Sequence, residues 1–269
     1  MIQPPLETIA EAFSRTAARY DSFGENHPHL MRMRRKVYAH LTSRLPTGAR
    51  ILELNAGTGT DAIELAKRGY FVHATDISTG MLERLSNKLE RLDLSGKITI
   101  QQCSFTALQS TQGAPYDAVF SNLGGLNCCP DLSPVIASLK NLLRPGGTVI
   151  WVLMPPVCLW ELAMILTGQV RFGLRRLSRR AHAHLEGLYF DVYYFTPQQV
   201  IGWFGADFEL VGLEGLSVIT PTAESKNLAR RIPRLYRFLC WLDDRLSIRP
   251  PWWGWGDFFI LSLKYRVKN

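Results

Sequence analysis

Ile51-Leu52-Glu53-Leu54-Asn55-Ala56-Gly57-Thr58-Gly59-Thr60-Asp61-Ala62 decides how the rest of the chain is read. Apolar alternation runs into two glycines. Asp61-Ala62-Ile63-Glu64-Leu65-Ala66-Lys67-Arg68 then takes up helical spacing until Gly69 closes it. The pattern predicts a strand, a glycine turn and a helix start, with bare backbone at the turn. Glycine suits that position because a side chain would block close approach of a flat ligand and restrict the dihedrals the turn needs.

Two kinds of nucleotide-like ligand use such an architecture. Gly57-x-Gly59-x-x-Ala62 fits the dinucleotide fingerprint, so the glycines alone leave a nicotinamide cofactor open. Glu53 discriminates: it ends the strand where a pyrophosphate would have to pass, and an acid there suits a cationic ligand better. No Tyr-x-x-x-Lys pair supports a reductase. Asp76 ends the next apolar run, Tyr70 to Thr75, and lies beside the turn if the two strands are neighbours. Its carboxylate can then accept from both hydroxyls of a ribose. From Gly48 to Leu153 strand and helix alternate five times, which implies a parallel sheet with helices on both faces. In such sheets the ligand crevice lies at the carboxyl ends of the strands.

These residues resemble the class I S-adenosylmethionine (SAM) dependent methyltransferases. Glu53 to Gly59 is similar to their first motif, with Asn55 where glycine is more usual, and Asp76-Ile77-Ser78 with Gly80-Met81-Leu82 is similar to their second. Ser104-Phe105 stands where the family carries an aspartate and an apolar residue against the adenine. Tyr116 to Asn122 resembles the fourth motif, and Leu142-Leu143-Arg144-Pro145-Gly146-Gly147 the turn before strand five. The resemblance implies an α/β, doubly wound, mostly parallel seven-stranded sheet with an N-terminal helical cap (1–46). A Rossmann-like domain would follow (47–269), with a substrate-binding insertion (156–195) after strand five. It implies SAM as cofactor, held by Tyr20, Glu53, Asn55, Gly57, Gly59, Asp76, Ile77, Met81, Ser104, Phe105 and Asn122. Tyr20 would lie near the methionine end.

Composition bounds the remainder. A chain of 269 residues buries a sizeable core, and 46% hydrophobic with 20% charged residues is ordinary for a soluble protein. Met1 to Arg19 lacks a signal-peptide core, and Thr148 to Thr167 is broken by Pro155-Pro156 and Glu161, so neither reads as a membrane span. Five cysteines without C-x-x-C spacing read as reduced thiols, and a cytoplasmic location is expected. The net charge of +8 gathers in Arg171, Arg175, Arg176, Arg179 and Arg180, and again in Arg230, Arg231, Arg234 and Arg237. Each cluster reads either as a solvated helix face or as a surface for an anionic partner.

Helices are expected over Leu6–Ala18, with a break at Tyr20–Phe23, and over Leu30–Leu45, with a hinge near Gly24–Pro28. The loop Ser121 to Pro130 lacks the Asn/Asp-Pro-Pro-Tyr/Phe clamp of the family's nucleic-acid and protein N-methylating members. Nucleic acid is therefore not an expected partner, and a small molecule is. Tyr189, Asp191 and Tyr193 alternate on one strand and either line the substrate pocket or simply pack. Ile219 to Trp241 continues the alternation towards a last strand at Asp257–Tyr265. Pro250-Pro251-Trp252-Trp253-Gly254-Trp255-Gly256 reads as packing over a sheet edge or as peripheral membrane contact. His27-Pro28-His29 and His182-Ala183-His184 fall in stretches expected to be exposed, without acid or cysteine at ligand spacing, so no metal is expected. The activity implied is methyl transfer from SAM to a small, apolar or aromatic acceptor. A lipid or quinone acceptor at a membrane surface, or a non-catalytic SAM-binding regulator, are the alternatives, and no catalytic residue is named.

Overall fold

The structure is a computed structural model, and it describes residues 6–24, 27–222 and 228–266. Two helices open it, α1 (Leu6–Gly24) and α2 (Pro28–Thr42). β1 (Arg50–Leu54), α3 (Thr60–Lys67), β2 (Phe71–Asp76), α4 (Thr79–Leu92), β3 (Ile98–Gln102), β4 (Tyr116–Ser121), α5 (Ser133–Leu142) and β5 (Leu143–Leu153) then alternate as the spacing predicts. The insertion holds α6 (Leu159–Ala163), α7 (Val170–Leu174) and a hairpin of β6 (Arg180–Leu185) and β7 (Leu188–Tyr193). The chain closes with α8 (Pro197–Phe204), β8 (Phe208–Leu216), α9 (Leu228–Arg231), α10 (Pro233–Leu246) and β9 (Phe258–Tyr265).

The main sheet has seven strands in the order β3-β2-β1-β4-β5-β9-β8, and only β9 runs antiparallel. This is the doubly wound, mostly parallel α/β fold expected, with helices at the N-terminus and an insertion after β5. Alternation along β1 explains the two layers. Ile51 packs with Met33, Val37 and Leu41 of α2 and Leu65 of α3, whereas Leu52 and Leu54 pack with Val135 and Leu139 of α5 and Phe204 of α8. Register then fixes the crevice. Leu54 sits opposite Thr75 on one side and Ser121 on the other, so Asn55, Asp76 and Asn122 leave the sheet side by side.

Local expectations differ from the structure in three places. α1 does not break at Tyr20 but runs to Gly24, because Asp21 in its last turn accepts from the Thr58 hydroxyl (2.6 Å) and pairs with Lys88 (2.8 Å). Of the hinge expected at Gly24–Pro28, residues 25–26 lie outside the described residues. The element expected over Ile219–Trp241 includes residues 223–227, also outside them; 219–222 are not helical, and α10 begins only at Pro233, whose fixed φ suits the first helical position. His27 and His29 are buried rather than exposed, with His29 Nδ1 3.1 Å from the Tyr236 hydroxyl of α10. The tryptophan stretch lies over the edge strand β8: a Cβ on Gly215 would come within 3.0 Å of the Trp252 carbonyl.

Candidate functional site

The glycine turn is built from left-handed backbone. Asn55 (φ 56°), Gly57 (φ 55°) and Gly59 (φ 77°) all sit there, which explains the asparagine at the first position, since it tolerates this region better than other residues with a Cβ. The two glycines serve different ends. A Cβ on Gly59 would strike Leu85 Cδ1 at 2.1 Å, so that glycine lets α4 pack against the turn. A Cβ on Gly57 would meet nothing within 4 Å, so its backbone faces open space, as a ligand cradle requires.

Three carboxylates surround the turn. Asp76 accepts from the Gly57 amide (2.8 Å) and the Ser78 amide (2.9 Å). Burial raises its pKa, and these amides oppose the shift. Glu53 is 2% exposed, and its Oε2 has no hydrogen-bond partner among the described residues. Burial holds its carboxyl well above the ordinary range, Asp61 pushes the same way, and Arg34 opposes. An orphaned buried oxygen of this kind suits a cationic ligand group.

Asp61 was not singled out by sequence reasoning, and it ties the site together. It accepts from Arg34 Nε (2.9 Å), the Tyr38 hydroxyl and Asn122 Nδ2 (3.0 Å). Burial would lower the pKa of Arg34, but the Asp61 carboxylate leaves it raised. Burial and Asp61 both raise that of Tyr38. Asp61 could have been found, because it lies two residues past Gly59 inside the deciding stretch. Arg34 and Tyr38 give no motif; their four-residue spacing on one face of α2 is the only signal.

The structure thus gathers Glu53, Asn55, Gly57, Gly59, Asp76 and Asn122 at the adjoining ends of β1, β2 and β4. Met81 is buried in the first turn of α4, where the Ser78 side chain caps the helix by accepting from its amide (3.3 Å). Ile77 and Ser104 are half-buried beyond β2 and β3, the Ser104 hydroxyl bonding Thr106 (2.8 Å), and Phe105 is buried in the core. Tyr20 stands in the last turn of α1 and lines a cavity of about 900 Å³.

That cavity extends from Tyr20, Arg34 and Thr60 to Phe13, Leu123, Met154, Leu185 and Phe258. Glu161, Arg175 and Arg176 of the insertion form part of its wall, but Tyr189, Asp191 and Tyr193 do not line it. Tyr189 points to solvent, and the buried Asp191 is taken up by Arg180 (2.6 Å) and His182 (2.7 Å). The first arginine cluster is therefore no solvated face throughout: Arg176 is buried and bonds Glu161 (2.6 Å) and Asp257 (2.7 Å), while Arg175 pairs with Glu161 (2.8 Å). Their pairing lowers the pKa of Glu161 in spite of burial. Cys158, Glu161 and Asp257 converge closely enough to hold a metal ion, but the arginines already occupy both carboxylates, and burial pushes the Cys158 thiol up to about 12.

Comparison with known proteins agrees with this geometry. A family described as a methyltransferase domain matches residues 51–147. The tRNA 5-carboxymethoxyuridine methyltransferase of Escherichia coli K12 is 29% identical over 222 residues, 81% of each chain. The S-adenosyl-L-methionine-dependent Diels-Alderase iccD of Talaromyces variabilis is 31% identical over 119 residues, 44% of this chain and 40% of that one. Among solved structures, a DhpI complex with S-adenosylhomocysteine (SAH) superposes with a TM-score of 0.61 at 15% identity, over 97% of both chains. Residues 51–147 thus match a methyltransferase domain, and the fold around them is shared with the DhpI structure. The DhpI structure holds SAH, and the Talaromyces relative is named for its dependence on S-adenosyl-L-methionine.

Proposed function

We propose that the chain methylates a small, apolar or aromatic acceptor bound in the cavity beneath α1. The observation that carries this reading is that Thr60, next to Gly59, and Arg34, bonded to Asp61, stand in the wall of that cavity beside Tyr20. Its volume is near the upper end of the roughly 300–1,000 Å³ usual for small-molecule sites, and Phe13, Leu30, Leu123, Met154 and Phe258 supply apolar wall. In this reading Asp76 accepts from the ribose hydroxyls, the orphaned Glu53 oxygen faces the cationic end of the methionine, and Gly57 offers bare backbone. Asn55, Gly59, Ile77, Met81, Ser104, Phe105 and Asn122 shape the rest of the cofactor cleft, and Tyr20 closes it.

SAM supplies a methyl group already activated by its sulfonium. The protein's contribution is alignment, worth effective molarities on the order of 10⁵ to 10⁸ M in favourable cases. No histidine is among the described residues lining the cavity, whereas Arg34 and Arg175 are. An acceptor oxygen that arrives ionised fits such a wall without a general base.

A thermal-shift titration with SAM, SAH and NADH comes first: at a hundred times its dissociation constant a bound ligand adds about 2.7 kcal/mol of stability. Methyl-labelled SAM is then incubated with phenols, quinols and aromatic carboxylic acids. Label in a product supports the proposal. Conversion of an acceptor with SAM left intact would place the chemistry with that named for the Talaromyces relative and end the methyl-transfer reading.

A further inference from the structure

Helix α10 carries its apolar stripe on the wrong side for a packed helix. Its buried residue, Asp243, is polar, and Leu239, Leu242 and Leu246 are only half-buried. Asp243 is wholly buried and binds Arg32 Nη1 (2.7 Å) and the amides of Val218 (2.7 Å) and Ile219 (2.9 Å), Tyr236 reaches His29 (3.1 Å), and Ser247 just past its end reaches Glu214 (3.1 Å). These bonds fix the rotation of the helix. Leu235, Phe238 and Trp241 are thereby turned outward, flanked by Ile232 and Ile248, each between 41% and 56% exposed. A surface helix ordinarily buries such a stripe against the core.

The charge around the stripe is of one sign. Arg230, Arg231, Arg234, Arg237, Arg245 and Arg249 surround it, and none has a carboxylate partner among the described residues. The two acids of the helix are spent inward, Asp243 on Arg32 and Asp244 on Arg32 (2.5 Å) and Lys36 (2.9 Å). Arg245 lies over the Trp241 ring at 3.8 Å, an arrangement that keeps its charge at the edge of the apolar strip. Exposed aliphatic and aromatic side chains bordered by unpaired arginines are the features of a helix that lies in the plane of a lipid interface.

We infer that α10 docks the protein on an anionic membrane surface, with Leu235, Phe238 and Trp241 entering the acyl boundary and the arginines meeting lipid phosphates. Charge decides the occupant. A second copy would bring the same arginines face to face, and a nucleic acid would leave Ile232, Leu235 and Ile248 with no hydrocarbon to bury against. The surface is also coupled to the site: Tyr236 packs on His29 (4.9 Å between ring centres), His29 on His27 (5.6 Å) and His27 on Phe23 (5.6 Å), and Phe23 lines the cavity. Docking by α10 thus places the cavity wall beside the bilayer. This inference rests on the surface alone and stands whether or not the acceptor proposed above is right.

The test is flotation of the purified full chain with vesicles of phosphatidylcholine, with and without phosphatidylglycerol. Binding is expected only with phosphatidylglycerol, and it is expected to fall steeply between about 50 and 500 mM NaCl as the charges are screened. Phe238→Glu, and separately the pair Arg234→Glu with Arg237→Glu, should each weaken binding at least about tenfold, with thermal midpoint and SAH affinity unchanged because these side chains face solvent. No flotation at low salt overturns the inference, as does undiminished binding by Phe238→Glu. It is equally overturned if Phe238→Glu instead abolishes a dimer seen by sedimentation, or binding to tRNA seen by gel shift, while flotation persists.

Discussion

At Asp76 one carboxylate holds the glycine turn through the Gly57 amide and the start of α4 through the Ser78 amide, and in the proposed function it also takes the ribose. Asp76→Ala removes hydrogen bonds to a charged group, each worth roughly 1.5–3 kcal/mol. SAH affinity measured by calorimetry should fall at least about tenfold; an unchanged dissociation constant would mean the ribose lies elsewhere. Asp61 makes a contrasting prediction. Asp61→Ala leaves Arg34 buried and uncompensated, which costs about 3–5 kcal/mol, so its first effect should be a lowered denaturant midpoint even without ligand. These two acids also show what sequence can carry. Asp76 is legible because it ends an apolar run, and Asn55 because it stands within a glycine pattern that its positive φ explains. Arg34 and Tyr38 are not, because what defines them is a carboxylate 27 and 23 residues away.

Elements were legible wherever periodicity and punctuation agreed. The alternation from β1 to β5 follows from glycines and apolar runs, and Thr196 caps α8 by accepting from the Gln199 amide (3.2 Å) as its Thr-Pro-Gln-Gln sequence implies. The insertion was less legible, since short helices and a two-stranded hairpin have too few turns for a period to show. The junction of α2 with β8 depends wholly on tertiary contact. Glu214 of β8 meets Lys36 Nζ (2.5 Å) and His40 Nε2 (3.1 Å) of α2, and despite burial these partners hold its pKa down to about 2. A carboxyl depressed in the folded state stabilises fully above the unfolded carboxylate range and loses that contribution as pH falls towards 2. The shift corresponds to about 3 kcal/mol at neutral pH. Glu214→Gln should therefore lower the urea midpoint markedly at pH 7, and the gap from the natural chain should shrink to less than about half at pH 3. A gap independent of pH would show that shape rather than charge joins the two elements.

Across the whole molecule the two N-terminal helices, read from sequence as one cap, are fastened in different ways. α2 belongs to the main core through Met33, Val37 and Leu41, all fully buried. α1 instead shares a small separate cluster, Ile9 and Ala12 with Phe190 of β7, and Phe13 and Phe190 lie 6.0 Å apart. Polar links add Arg19 to Glu186 of the hairpin turn (2.7 Å), Ser14 to Ser78 (2.8 Å) and Asp21 to Thr58 beside Gly57. Since few apolar contacts hold α1 and the β6–β7 hairpin, they should open at lower free energy than the sheet and open together. Both border the cavity, α1 through Phe13 and Tyr20 and the hairpin through Leu185. Entry of a cofactor and an acceptor then requires this pair to lift as a lid. Hydrogen exchange followed by mass spectrometry tests the claim: saturating SAH should slow exchange in 6–24 and 180–193 by a common factor and leave 28–42 unchanged. Slowing in α1 alone would mean that the hairpin is not part of the lid, and equal slowing in α2 would mean that the whole cap moves as the single unit the sequence suggested.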